Sequence, residues 1–591
     1  MKKNKLGSLK GSFPNKIKKR TIILTVLSVF WIGGIIFRLI QLQVFDHIRY
    51  KKYVDNQNQA IADVIPKRGT IYDRTGSILA RSIPKQSLFL QNYHNDPLST
   101  QMGKIYKIKN ILGLSSSRVS DIKKKIEEKD SFIWIKRKID PEEVEKVHNL
   151  DLNGIYSEEE NSRYYPNGSL ASHLIGRVNL DDAGASGIEY KYNHVLEGQK
   201  GKRLNLRDAK RRQYRFEMIQ APIPGKDIVL TIDEAIQFIA EEELEKAVRT
   251  LMADWGSVII SLPENGEILA MVHSPSFDLN SPPNDISITD RIGAAHFLFD
   301  PGSTFKLITA AAALELNKVT LSDTFDCSQG YIQLPGKRIT DHKTFQILTF
   351  PEVIIHSSNV GAVLIGQKIE EQGMYDTIQA FGLGRQTGID LPGEENGIFH
   401  PLNEWSSRSL PSLSIGYEIS VTPIQMLQVV NIIANKGVAV TPRIVKKVLD
   451  PSEEDQLPVP VYQRVISEQT ALTLMEFMKE TVNKGTGHNA QIEGYIVAGK
   501  TGTAQKLDPK TGQYTSNLHI SSFAGCIITD KPVFSMFVVI DSPKGYYYGS
   551  DVAAPVFREI AARTLLYMGI PPVVKSQNKI MTADIRRVGE E

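Results

Sequence analysis

The longest apolar run in the chain lies near its start. Thr21 to Phe37 reads TIILTVLSVFWIGGIIF with no charged residue, and after Arg38 the run resumes as LIQLQVF. Thr21 to Phe45 is long enough to cross a bilayer as a helix. Arg38 sits where its long stem can lift the charge to the interface. A second texture begins at about residue 226. DIVLTIDEAIQFIAEEELEKAVRTLMA passes from a strand into a long amphipathic helix. WGSVIISLPENGEILAMVHSP is two apolar runs around Pro263-Glu264-Asn265-Gly266, the pattern of a β-hairpin. STFKLITAAAALELN is apolar nearly all round, as a buried helix is. GYIVAGKTGTAQK and ISSFAGCIITDKPVFSMFVVID read as strands, and VAAPVFREIAARTLLYMG as a closing helix. Strands, a block of helices, then strands and a helix predict an α/β or α+β domain, a sheet faced by helices.

The stretch between these regions, residues 46–220, is polar and irregular. PKRGTIYDRTGSILA mixes turn residues with short alternating runs, and Lys104 to Lys146 carries Lys, Glu and Ile at helical spacing. GKRLNLRDAKRRQYRFEM reads as a solvated ribbon and APIPGKD as a linker. The predicted organisation is a basic tail (1–20), a membrane anchor (21–45), an α+β domain (46–220), a larger domain (221–570) and a loosely ordered tail (571–591).

Composition narrows the function classes. With 41% hydrophobic and 23% charged residues the chain has real cores. A net charge of +4 is small for 591 residues and points away from nucleic acid, and no Cys/His array points to a metal. Lys2, Lys3, Lys5, Lys10, Lys16, Lys18, Lys19 and Arg20 are the only charged residues before the apolar run. That basic flank places the N-terminus in the cytoplasm and the body outside it, on an uncleaved anchor. Cys327 and Cys526 read as two buried free thiols, with pairing left open.

Lys-Thr-Gly occurs twice, at Lys500-Thr501-Gly502 and Lys510-Thr511-Gly512. The second copy sits among Pro, Gly, Asp and Asn, which is turn chemistry. The first follows an apolar strand, where Lys500 is held on rigid backbone and Gly502 permits close approach. Upstream, DPGSTFKL puts Ser303 and Lys306 three apart at the start of the buried helix, on one face. A serine hydroxyl needs a base. A lysine can be that base when burial or nearby positive charge lowers its pKa, and the helix N-terminus favours a developing oxyanion. Ser-x-x-Lys also occurs at Ser82/Lys85 and Ser120/Lys123, which read as surface pairs. In IIHSSNVGAV, Ser357 and Asn359 interrupt an apolar stretch. They read as a helix cap, as a buried polar pair bonded to backbone, or as a hydroxyl that relays a proton and an amide that holds a peptide. Ser576/Asn578 repeats that spacing in the tail. Each motif alone is weak. Ser-x-x-Lys, Ser-x-Asn and Lys-Thr-Gly in that order form the set of the penicillin-recognising serine acyltransferases, which selects Lys500 over Lys510.

On these motifs the chain resembles the class B penicillin-binding proteins, membrane-anchored peptidoglycan D,D-transpeptidases. RGTIYDRTGSILA, RYYPNGSLASHLIG and GASGIEYKYNHVLEG resemble the family's non-catalytic, dimerisation-like pedestal. SIGYEISVTPIQM and YYYGSDVAAPVFREIA resemble its downstream signatures, most of all those of the cell-division (septal) branch, with the elongation branch as close rival. The resemblance implies a transpeptidase domain with an antiparallel sheet faced by helices, as in serine β-lactamases. It implies that Ser303 attacks the penultimate D-Ala carbonyl of a stem peptide and that Lys306 is the base. Ser357 would pass the proton to the leaving amine, Asn359 would bond the peptide, and Lys500 would hold positive charge near Ser357. Thr501 and Thr503 would meet the substrate carboxylate beside Gly502, and the N–H groups of Ser303 and Thr503 would form the oxyanion hole. It implies no metal or cofactor, acylation of Ser303 by β-lactams, and a membrane glycosyltransferase and division proteins as partners at the inner (cytoplasmic) membrane.

The segment before the nucleophile, DRIGAAHFLFDPG, is more apolar than the family pattern, and Ser358 carries no expectation. A β-lactamase shares the three motifs but has no pedestal, and a penicillin sensor has several spans. A non-catalytic penicillin-binding scaffold is the rival from another class. It leaves a buried Ser303/Lys306 pair without a task.

Overall fold

The computed structural model describes residues 15–50, 59–92, 96–207, 213–283, 285, 290–334, 337–450, 457–507 and 514–573. The chain divides into two compact units, one of residues 1–66 and 199–223, the other of 67–198 and 224–591. In the first unit the apolar run forms a helix Asn15–Ile40 that continues as a π-helical turn, Gln41–Phe45. Ile17–Phe45 is long and apolar enough to cross a membrane, and Phe30 and Trp31 lie fully on its outside. The basic ribbon forms the antiparallel pair Gly201–Arg207 and Gln213–Gln220, with Gln59–Val64 as its third strand.

In the second unit the expected sheet has five strands. Their spatial order is Ile268–Ser274, Trp255–Ser261, Pro532–Asp541, Tyr514–Ile528, Ile496–Leu507, and every neighbour is antiparallel. Side chains alternate across its two faces. Val258, Ile260, Val538 and Ile540 pack with the helices Glu234–Thr250 and Ala553–Tyr567. Ile259, Phe537 and Val539 join the opposite core, with Lys306–Glu315, Pro423–Ala434 and Glu468–Asn483. This two-faced burial explains why the strands read as unbroken apolar runs. It leaves Ile496–Leu507, which carries Lys500, at the edge of the sheet.

The pedestal differs from its sequence pattern in one element. Within Lys104 to Lys146, the helices Leu98–Lys109, Ser116–Glu127 and Pro141–His148 are interrupted by a strand, Phe132–Ile139. Ile133, Ile135 and Ile139 point into the small core that those helices cover, so tertiary burial overrides the helical composition. The pedestal sheet also crosses the expected boundary at residue 220. Ile71–Tyr72 pairs in parallel with Ile228–Leu230, which in turn pairs with Val445–Val448. A buried ion cluster pins its base. Glu189 accepts from Arg68 Nε at 2.7 Å and from Arg163 Nε at 2.5 Å, and none of the three side chains is more than 2% exposed. Arg68 also donates to the Glu189 carbonyl, and Arg163 to that of Gly69. The pedestal motifs that carry the resemblance are therefore one another's hydrogen-bond partners.

Candidate active site

Ser303 does not lie in the α-helix itself. Gly302–Phe305 is a 3-10 turn that feeds the α-helix beginning at Lys306. In a 3-10 turn residues three apart eclipse one another, so the spacing still aligns Ser303 and Lys306. Two glycines allow the turn to press on the edge strand. Gly302 has φ +55°, and a Cβ there would lie 2.9 Å from the Thr503 carbonyl oxygen. A Cβ on Gly502 would lie 2.2 Å from Ser522 Oγ and 2.9 Å from Thr304 Cγ2.

Lys306 is fully buried, and its ammonium has three oxygen acceptors. They are the Ser357 carbonyl at 2.7 Å, Asn359 Oδ1 at 2.7 Å and Ser357 Oγ at 3.3 Å. Lys500 is also fully buried, and its Nζ donates to Ser357 Oγ at 2.8 Å. Ser357 holds its position between the two lysines with φ +60°, a strained conformation for a residue with a side chain. Burial pulls the Lys306 pKa down to about 7, against the partial restoring pull of Asp341. Burial, then repulsion from Lys306, holds Lys500 well below the ordinary lysine range. Two ammoniums around one hydroxyl favour carrying one charge over two. Such a pair is built for moving a proton, since Ser357 Oγ touches both lysines.

Ser303, Ser357, Asn359, Thr501 and Thr503 line one groove of about 1010 Å³. Gly502 lies behind it, on the strand between the two threonines. Thr503 Oγ1 accepts the Gly549 N–H at 2.9 Å, and Thr501 and Thr486 share a hydroxyl contact at 2.6 Å. All eight predicted residues are thus brought together. The Lys510 copy and Ser576/Asn578 lie outside the described residues. Ser82/Lys85 and Ser120/Lys123 stand in the pedestal, where Lys85 pairs with Asp140 and Lys123 with Glu127, but Ser82 is buried, against the surface reading, and donates to the Arg68 carbonyl. Cys327 and Cys526 are buried free thiols.

Two residues escape the sequence pattern. Ser358 is the N-cap of the helix Asn359–Ala380, accepting the Gly361 N–H at 3.0 Å. The cap of this helix is thus Ser358, not Ser357 or Asn359, whose side chains meet the buried lysines instead. Asp341 accepts the Ser358 hydroxyl at 2.9 Å and the backbone N–H groups of Asn359 and Val360. It anchors the start of the helix that presents Asn359, and no motif spacing marks it.

An antiparallel sheet between helices, with a serine turn against its edge strand and two lysines on a shared hydroxyl, defines a penicillin-recognising serine acyltransferase. Residues 256–562 match the penicillin binding protein transpeptidase domain and residues 63–230 the penicillin-binding protein dimerisation domain. Stage V sporulation protein D of Bacillus subtilis is 36% identical over 521 residues, 86% of this chain and 79% of that protein. The peptidoglycan D,D-transpeptidase FtsI of Escherichia coli is 32% identical over 572 residues, 94% and 93% of the two chains. The solved structure of penicillin binding protein 3 from Mycobacterium tuberculosis, complexed with aztreonam, aligns with a TM-score of 0.66 at 27% identity. That alignment covers 87% of this chain and 99% of that one. The chain belongs to the penicillin-binding protein transpeptidases, in the class B arrangement of a dimerisation-type domain before a transpeptidase domain.

Proposed function

We propose that this protein crosslinks peptidoglycan stem peptides during septal wall synthesis, as a D,D-transpeptidase working through an acyl-enzyme on Ser303. The observation that carries the reading is the pair of buried lysines on Ser357 Oγ, beside the serine that lines the groove. Neutral Lys306 takes the Ser303 proton as Oγ attacks the penultimate D-Ala carbonyl carbon. The N–H groups of Ser303 and Thr503 receive the oxyanion. The proton passes through Ser357 to the departing D-Ala amine, the C–N bond breaks, and an ester remains on Ser303. An amine from a neighbouring strand then attacks that ester. Its proton returns to Ser303, and a crosslinking amide forms. Asn359 holds the donor peptide, and Thr501 and Thr503, beside Gly502, hold its terminal carboxylate. That carboxylate favours charge on Lys500, and repulsion between the two ammoniums then favours neutral Lys306, so substrate arrival readies the base.

The catalytic part corresponds to residues 221–570 and the pedestal to 46–220. The helix Asn15–Ile40 anchors the body with its basic flank in the cytoplasm. A membrane glycosyltransferase supplies the glycan strands, within an assembly of division proteins. Incubating the full chain with a D-Ala-D-Ala peptide and an amine acceptor tests the chemistry. D-Ala release and the crosslinked product are expected with wild type and absent with Ser303→Ala. Imaging a tagged chain in dividing cells tests the role. A septal band is expected, and uniform side-wall signal supports elongation instead. The sporulation name of the relative at 36% identity favours a second reading, in spore-wall synthesis. Expression confined to sporulating cells would select it.

A further inference from the structure

The groove is charged unevenly. Arg338, His342, Lys343 and His356 line the wall beside Asn359, and Asp341 is the one carboxylate among the groove's lining residues. Asp341 is already engaged by the Ser358 hydroxyl and two helix N–H groups. Among the described residues neither Arg338 nor Lys343 has a carboxylate within ion-pair reach, although both are exposed. Their positions are nonetheless set by aromatic rings. The Arg338 guanidinium lies 3.4 Å from the centroid of Tyr331, and Lys343 Nζ lies 5.1 Å from that of Phe345. Arg338 lies on the strand Lys337–Thr340, whose last carbonyl accepts Asn359 Nδ2 at 2.7 Å. Arg338 and Thr340 share one face of that strand, while Ile339 is buried. The cationic wall is therefore in register with the amide that holds the donor peptide. Its field is felt nearby, since burial, then Lys306 and Lys343, push the His342 pKa below the ordinary histidine value.

We infer that Arg338 and Lys343 read a second, internal carboxylate of the substrate, so that this enzyme prefers stem peptides with a free side-chain carboxylate over their amidated counterparts. The inference rests on the transpeptidase reading above. The terminal carboxylate belongs to Thr501 and Thr503 on the edge strand, whereas Arg338 and Lys343 stand on the Asn359 wall. An arginine fork and a lysine point charge that no carboxylate among the described residues pairs with are groups that recognise a carboxylate, and an amide in its place removes the charge-assisted bonds. A guanidinium stacked on a ring also loses little freedom on binding.

The test uses the full chain in detergent and two D-Ala-D-Ala peptides. They are identical except for one internal side chain, a carboxylate in one and an amide in the other. The expected kcat/KM for D-Ala release favours the free carboxylate by about tenfold, mostly through KM. The preference shrinks as salt rises. In the R338Q/K343Q variant the ratio falls toward 1, and in R338K/K343R, which keeps both charges but moves the fork, it falls only in part. Both residues are exposed, so the variants fold. Equal kcat/KM for the two peptides in wild type, or a ratio unchanged in R338Q/K343Q, overturns the inference. Penicillin acylation of wild type separates the two levels. Acylation without a carboxylate preference defeats only this inference, while absence of acylation and of D-Ala release defeats the transpeptidase reading itself.

Discussion

Lys500 Nζ donates to Ser357 Oγ at 2.8 Å although Lys500 lies on the sheet's edge strand and Ser357 on the turn before a helix of the other layer. The contact joins two motifs far apart in sequence, and Lys306 meets the same hydroxyl at 3.3 Å. Removing that hydroxyl in Ser357→Ala takes a hydrogen-bond partner from both buried lysines. D-Ala release should fall by roughly 10²–10⁴-fold, the range for a lost proton relay. Stability should fall by about 1–3 kcal/mol. Peptide kinetics beside a thermal melt measure both, and a rate within threefold of wild type would exclude Ser357 from the proton path.

The buried Lys306, with its pKa near 7, sets a pH profile. Only neutral lysine accepts the Ser303 proton, so the acylation rate should rise about tenfold per pH unit up to about 7 and then level. Stopped-flow acylation by a chromogenic β-lactam between pH 5 and 9 gives the curve. A flat profile over that range contradicts a lysine base.

The same burial has a stability signature. The Lys306 pKa is about 7 in the folded state against an ordinary 10.5, so between those values the unfolded chain binds more protons. Its contribution to stability therefore rises with pH across that window, by up to about 1.4 kcal/mol per unit, and is flat below pH 7. Comparing denaturant midpoints of wild type and Lys306→Met from pH 6.5 to 10 isolates the effect. The difference should change in favour of wild type as pH rises.

Asp341→Asn removes the carboxylate that holds Ser358 and the first N–H groups of the helix Asn359–Ala380. A loss of about 1–2 kcal/mol follows from cap and dipole together. Asn359 should also drift from Lys306, lowering acylation more than the melting point alone implies. Acylation at a temperature where the variant is fully folded tests this, and a wild-type rate there would make Asp341 purely structural.

In the pedestal, Glu189→Gln removes the carboxylate that pairs with both Arg68 and Arg163 and leaves two buried guanidiniums without it. Breaking such a cluster costs about 3–5 kcal/mol. Limited proteolysis should show early cleavage in the pedestal, and a melt indistinguishable from wild type would contradict the cluster's role.

Much of this was legible in the chain because each cue was local. The apolar run Thr21 to Phe45 predicts a spanning helix, which forms as Asn15–Ile40 and its continuation to Phe45, and the turn at Pro263–Gly266 predicts the hairpin. The ordered motifs select Ser303, Lys306, Ser357 and Lys500, which the fold gathers. What escaped was long-range. Asp341 acts through a contact with a helix start that has no fixed spacing from it, so no motif could mark it. Phe132–Ile139 is a strand because helices and a sheet close over Ile133 and Ile135, although its surroundings have helical composition. The pairing of Ile71–Tyr72 with Ile228–Leu230 joins segments far apart in sequence, which no local cue marks.

The most direct test is the intact mass of the full chain after exposure to a penicillin, with Ser303→Ala alongside. A single added drug mass on wild type, mapped to the peptide containing Ser303 and missing in the variant, is the predicted result. No adduct on folded wild type, or an adduct that persists in Ser303→Ala, would contradict an acyl-enzyme at this serine and leave the buried lysines around Ser357 without their assigned task.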